Sequence, residues 1–119
     1  MAQPHLEYPT AREMSCLAQQ YRVTVKSADD AAFDDMAGVF VLGSGVDIAM
    51  TCEPAPGMHL TFICPDSTAD ATVTAPTGFT FDGTNDKAAL TTNGAAIEVV
   101  YKDANELYVI RTEGTVTYS

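Results

Sequence analysis

From Tyr21 onward, apolar and polar side chains alternate over short stretches with a period of two, the spacing of a β-strand that buries one face. Tyr21, Val23 and Val25 fall on one side of the stretch 21–26. Val46, Ile48, Met50 and Cys52 do so in 46–52, and Met58, Leu60, Phe62 and Cys64 in 58–64. Further short strands are predicted at 39–42, 71–75, 79–81, 88–92 and 115–118, separated by turn-forming stretches such as Gly43-Ser44-Gly45, Glu53-Pro54-Ala55-Pro56-Gly57 and Asn93-Gly94. The clearest pattern lies at 94–111, where β-branched and aromatic residues flank the joint Lys102-Asp103-Ala104-Asn105-Glu106. It reads as a β-hairpin with Ile97, Val99 and Tyr101 on one face.

Strands of this length at this spacing predict an all-β domain, an antiparallel β-sandwich or barrel of jelly-roll-like kind. The stretches 46–52 and 58–64 are expected to pair as a hairpin, and 39–42 and 115–118 to lie at sheet edges. No unit repeats with a fixed period, which argues against a solenoid. The expected core comprises Ile48, Met50, Leu60, Phe62, Val73, Phe79, Phe81, Val99 and Val109.

Residues 1–20 break the pattern, dividing the chain into an N-terminal arm with a short helix and a β-domain over 21–119. Pro4 and Pro9 surround His5, Leu6 and Tyr8, an extended arm with apolar side chains to place. Thr10-Ala11-Arg12-Glu13 then forms a capping box that starts a helix running to about Gln20. Met14, Leu17, Ala18 and Tyr21 recur at helical spacing, an apolar stripe suited either to the chain's own domain or to a partner.

The length of 119 residues suits one domain that buries a core without disulfides or metal. Sixteen acidic residues against 6 basic ones give a net charge of -10, and the basic residues are scattered, which argues against nucleic-acid binding. The start of the chain lacks the basic and apolar stretches of a signal peptide, and no apolar run is long enough to cross a membrane as a helix. Cys16, Cys52 and Cys64 have no paired spacing and are expected to be small buried thiols.

Candidate chemistry is sparse. His59 alternates to the face opposite Cys52 and Cys64, so neither a Cys-His nucleophile nor a zinc site can converge there. The aspartates Asp29, Asp30, Asp34 and Asp35 lie in a predicted acidic loop over 27–35, without the oxygen spacing of a calcium loop. Asp82, Asn85 and Asp86 beside Gly83 are the best candidates for a cation, although the same residues suit an Asx-type turn. No catalytic residue, cofactor or required metal is expected.

In order along the chain come Gly57-Met58-His59-Leu60-Thr61-Phe62-Ile63, Ala71-Thr72-Val73-Thr74-Ala75-Pro76, Phe81-Asp82-Gly83 and Leu90-Thr91-Thr92-Asn93-Gly94. Glu98-Val99-Val100-Tyr101-Lys102-Asp103 and Leu107-Tyr108-Val109-Ile110 complete the series. This order resembles small β-rich modules of tailed-bacteriophage virions, notably capsid decoration (cement) proteins and head- or tail-fibre domains. Tyr108 stands where such modules commonly carry tryptophan. The resemblance implies a structural, usually trimeric virion protein and no catalytic residues. On the decoration reading, the partner is the major capsid protein and the location is the outer capsid surface after synthesis in the host cytoplasm. The arm would supply the contact, with Leu6 and Tyr8 as apolar anchors and Arg12 facing an acidic patch on the shell. The alternative is a fibre or baseplate module that stacks a host glycan on Tyr101 and Tyr108.

Overall fold

The computed structural model describes residues 22–52, 57–103 and 106–119. The arm, the short helix and the candidate contacts Leu6, Tyr8 and Arg12 lie outside them. Ten strands follow one another without a helix among the described residues: β1 (Val23–Lys26), β2 (Asp30–Phe33), β3 (Gly38–Leu42), β4 (Asp47–Met50), β5 (His59–Cys64), β6 (Ala71–Thr74), β7 (Lys87–Leu90), β8 (Ala95–Asp103), β9 (Glu106–Glu113) and β10 (Val116–Tyr118). They form two five-stranded sheets packed face to face. The first has the order β1-β3-β5-β8-β9 and the second β10-β7-β6-β4-β2.

The molecule is therefore all-β and sandwich-like, but the expected antiparallel, jelly-roll-like arrangement is not found. Both sheets are mixed. β1 pairs with β3 and β3 with β5 in parallel, as β2 does with β4 and β4 with β6. The first six strands thus alternate between the sheets like a coil, each strand laid beside the one two places earlier. The turns of this coil are unequal: Val23 opposes Val39, and Val39 in turn opposes Thr61. Unequal turns leave no fixed period for the sequence to display. The remaining pairings, β5 with β8, β8 with β9, β6 with β7 and β7 with β10, are antiparallel.

Several further expectations change with this course. Stretches 46–52 and 58–64 do not pair, because β4 and β5 belong to opposite sheets. β3 is an interior strand between β1 and β5, whereas β10 is an edge as expected. The predicted acidic loop contains β2, whose Phe33 enters the core beside Met50. Thr80 makes only an isolated bridge to Glu106 and no strand forms at 79–81. The 94–111 hairpin is present with a shorter joint, since Asp103 already opposes Glu106.

Between the sheets lies one core built from inward residues of β2 to β10, to which β1 adds no apolar side chain. Phe33, Phe40 and Phe62 form its aromatic centre, with Phe33 edge-on to Phe40 at 4.8 Å between centroids and Phe40 stacked on Phe62 at 5.6 Å. Of the expected core, Ile48, Met50, Leu60, Phe62, Val73, Phe81 and Val99 are buried, while Phe79 and Val109 pack partly buried against it. No polar or charged side chain is buried among the described residues, so the core holds by apolar contact alone. At one margin Lys26 lies 5.5 Å from the Phe33 ring centroid and donates to Asp30 at 2.8 Å, capping the aromatic centre with an ion pair.

Candidate functional site

The outward residues of the two sheets decide where a partner could bind. In the first sheet the register aligns Val23, Val39, Thr61, Glu98 and Arg111 in one cross-strand row and Val25, Val41, Ile63, Ala96 and Glu113 in the next. His59, Val100 and Tyr108 form a third. These rows lie opposite Phe40, Leu60, Phe62 and Ile97, so they face away from the core. The result is an outer face of large β-branched side chains. Val23 and Val25 are 64% and 71% exposed.

A shallow groove of about 230 Å³ opens on this face, with Thr61, Ile63 and Ala96 on its floor and Glu98, Arg111 and Glu113 around it. Its charges are held locally. Arg111 donates through Nε and Nη2 to Glu113 Oε1 at 3.2 and 3.1 Å, and His59 Nδ1 lies 2.9 Å from Glu98 Oε2.

The cation candidates resolve into a turn. Asp82 Oδ1 accepts from the amides of Thr84 at 3.0 Å and Asn85 at 2.6 Å, and Asp82 Oδ2 accepts from Asn85 Nδ2 at 2.9 Å. These donors, the Asn85 amide first, hold the Asp82 carboxyl below the usual carboxylate range. The Asp86 carbonyl accepts from the Ala75 amide at 2.7 Å, fastening the loop to the end of β6. Among the described residues no three His, Cys, Asp or Glu side chains converge as a metal site requires.

The acidic segment is likewise structural. Asp29 accepts the Asp47 amide at 2.9 Å, and Asp30 accepts from Lys26 and from the Ala32 amide at 3.1 Å. Cys64 is buried and Cys52 half-buried; burial pushes the Cys64 thiol up, and its Sγ donates to the Asp66 carbonyl at 3.2 Å. His59 lies on the outer face, away from inward Cys64, as alternation requires. Cys16 lies outside the described residues.

Tyr101 and Tyr108 do not share a platform. Tyr101 packs partly buried with its ring 6.3 Å from Phe79, while Tyr108 is exposed on the opposite face of the hairpin. What sequence reasoning missed is the outer face of Val23, Val25, Val39, Val41, Ile63 and Val100. Its signal was present in Val39-Phe40-Val41-Leu42 and in the adjacent Val99-Val100, which are apolar on both sides of the strand rather than alternating. No family model, no curated protein and no solved structure matches this chain, so its function must be argued from its own surface and sequence.

Proposed function

We propose that this protein is a capsid decoration (cement) protein, a non-enzymatic component that binds the outer surface of a phage head and stiffens it. The observation that carries the reading is the outer face of the first sheet, where large apolar side chains meet solvent beside ion pairs that are already locally satisfied. Such a surface is suited to contact rather than turnover. The resemblance of 57–110 to virion modules supplies the kind of partner, the major capsid protein. In this reading the arm makes the capsid contact through Leu6, Tyr8 and Arg12, while the β-domain associates as a homotrimer at three-fold positions of the shell.

The test is occupancy. Mass spectrometry of purified particles should find the protein in hundreds of copies per head, and deleting residues 1–9 should abolish binding to stripped capsids while the β-domain still melts cooperatively. Retention of wild-type capsid affinity by the deletion removes the arm from the contact. A copy number of only a few per particle moves the protein to a fibre or baseplate.

A further inference from the structure

Four strands lie at sheet edges, β1 and β9 in the first sheet and β10 and β2 in the second, and three of them carry a feature that limits further pairing. β9 is bulged at Ile110, and its Leu107 amide already donates to the Thr80 carbonyl. β2 loses register with β4 between Asp30 and Phe33, and Asp30 Oδ1 accepts the strand's own Ala32 amide. β10 is three residues long. β1 has none of these devices: Val23, Thr24, Val25 and Lys26 oppose Val39, Phe40, Val41 and Leu42 without a shift.

The hydrogen bonds of β1 show which of its backbone groups are open. The Arg22 carbonyl accepts the Val39 amide and the Lys26 carbonyl the Gly43 amide, each at 2.9 Å. Amide and carbonyl directions alternate along a strand, so Arg22, Thr24 and Lys26 are turned to β3. The N–H and C=O of Val23 and Val25 point to the side where no strand follows among the described residues. Val23 and Val25 also carry the most exposed large apolar side chains of the described chain. A β-branched edge with open backbone groups is a template for another strand.

We infer that the strand it takes is β1 of a second copy, paired antiparallel about a two-fold axis at Thr24. Val23 then faces the second copy's Val25, and Val25 its Val23, two pairs that each exchange two backbone hydrogen bonds. Thr24 faces its symmetry mate in the closer, non-bonded position, where threonine pairs are favourable. Arg22 faces the second copy's Lys26, which Asp30 holds at 2.8 Å, so it meets an ion pair and not a bare like charge. Among the described edges only another β1 matches in length and regularity, and a two-fold pairing closes on itself instead of growing.

The two first sheets join side by side, and Val23, Val25, Val39, Val41 and Ile63 of both copies stay open to a partner on one continuous outer face. Four residues a side bury less than the ~1,000 Å² of a stable interface, so the pairing is weak in dilute solution and firm where copies are held close together. Three-fold association through another surface is not displaced; where both operate, β1 ties one trimer to the next. The inference goes beyond the proposed function and is tested without a capsid, so the two can fail separately.

The test uses the full chain with Cys16→Ser and Cys52→Ser, to which Thr24→Cys is added. Across the proposed axis the two Cα atoms at position 24 lie ~4.5 Å apart, within the range of a disulfide, whereas those at position 25 lie ~8 Å apart and beyond it. In a glutathione redox buffer most of the Thr24→Cys chain should run as a dimer on a non-reducing denaturing gel, while the more exposed Val25→Cys stays mainly monomeric. Equal trapping at the two positions is collision and overturns the inference, as does a monomeric Thr24→Cys whose circular dichroism shows it folded. Should the variant not fold, hydrogen exchange on the unmodified chain decides the matter. The Val23 and Val25 amides should exchange ~threefold more slowly or better when the protein is raised from ~10 µM to ~1 mM, and equal rates at the two concentrations overturn it.

Discussion

The two sheets contain the same kind of parallel coil and differ in what they show to solvent. Outside the first lie Val23, Val25, Val39, Val41 and Ile63; outside the second lie Asp47, Ala49, Thr72, Thr74 and Ala89. Threonine and alanine satisfy a strand on its solvent side with little apolar area, so the second face is complete in water. The first is not. The same backbone arrangement therefore supports one outer face poor in apolar area and one rich in it, and the difference lies wholly in the alternate residues of the strands.

The largest expected effect breaks the distinction by loosening what both faces share. Phe62 is fully buried against Phe33 and Phe40 between the sheets, and Phe62→Ala should cost ~3–5 kcal/mol in denaturant unfolding, with both sheets lost in one transition. Next comes the passage from one sheet to the other. Gly114, between β9 and β10, has φ 67°, and a Cβ there would sit 2.7 Å from Thr92 Oγ1 and 3.0 Å from the Ala95 Cα. Gly114→Ala should cost ~1–3 kcal/mol by the same measurement.

A sharper comparison puts the same charge on each face. Val25 is 71% exposed, so Val25→Asp should stay within ~0.5 kcal/mol in unfolding of the chain alone, as should Ala89→Asp. Sedimentation should separate them, with Val25→Asp and not Ala89→Asp weakening self-association; equal behaviour would mean that the faces do not differ in what they contact.

The smallest effect is in acid. Hydrogen bonds from Asn85 and Thr84 depress Asp82, those from Thr68 depress Asp66, and the bond from Lys26 with that from Ala32 depresses Asp30. A carboxyl whose folded pKa lies below its unfolded value contributes stability in full above that unfolded value, ~3.9 for aspartate. The contribution is lost as pH falls through the depressed folded values. Melting temperature should fall below about pH 4 on this account, and Asp82→Asn should make that decline shallower.

The sequence made the antiparallel hairpin legible because both its arms and its joint are neighbours in the chain. Ile97, Val99 and Tyr101 lie on one side of β8 as alternation required, and β9 follows directly. Parallel pairing leaves no such local record. Val23 finds Val39 only after the chain has visited the other sheet, so 46–52 and 58–64 resembled a hairpin although they entered different layers. β2 was hidden by the aspartates around it: Asp29, just before the strand, and Asp30, its first residue, each accept a backbone amide, while Phe33 alone reaches the core. At the candidate site, the Asp82 turn was readable from its residue types. The apolar outer face was not, because assigning one face of each strand inward left the other to be assumed polar.

The irregularity in β9 has a consequence for how this protein behaves in a crowd. Glu98 opposes Arg111 while Val99 opposes Val109, so Ile110 is an extra residue and the strand bends there. β9 is the outer strand of its sheet, and a straight, apolar strand in that place would invite a neighbour's backbone to extend the sheet without end. The bulge falls at Ile110, Arg111 and Glu113 are charged just beyond it, and at the other end the Leu107 amide already donates to the Thr80 carbonyl at 2.9 Å. An incoming strand therefore meets an edge already taken at one end and bent and charged at the other, which leaves little regular backbone to extend.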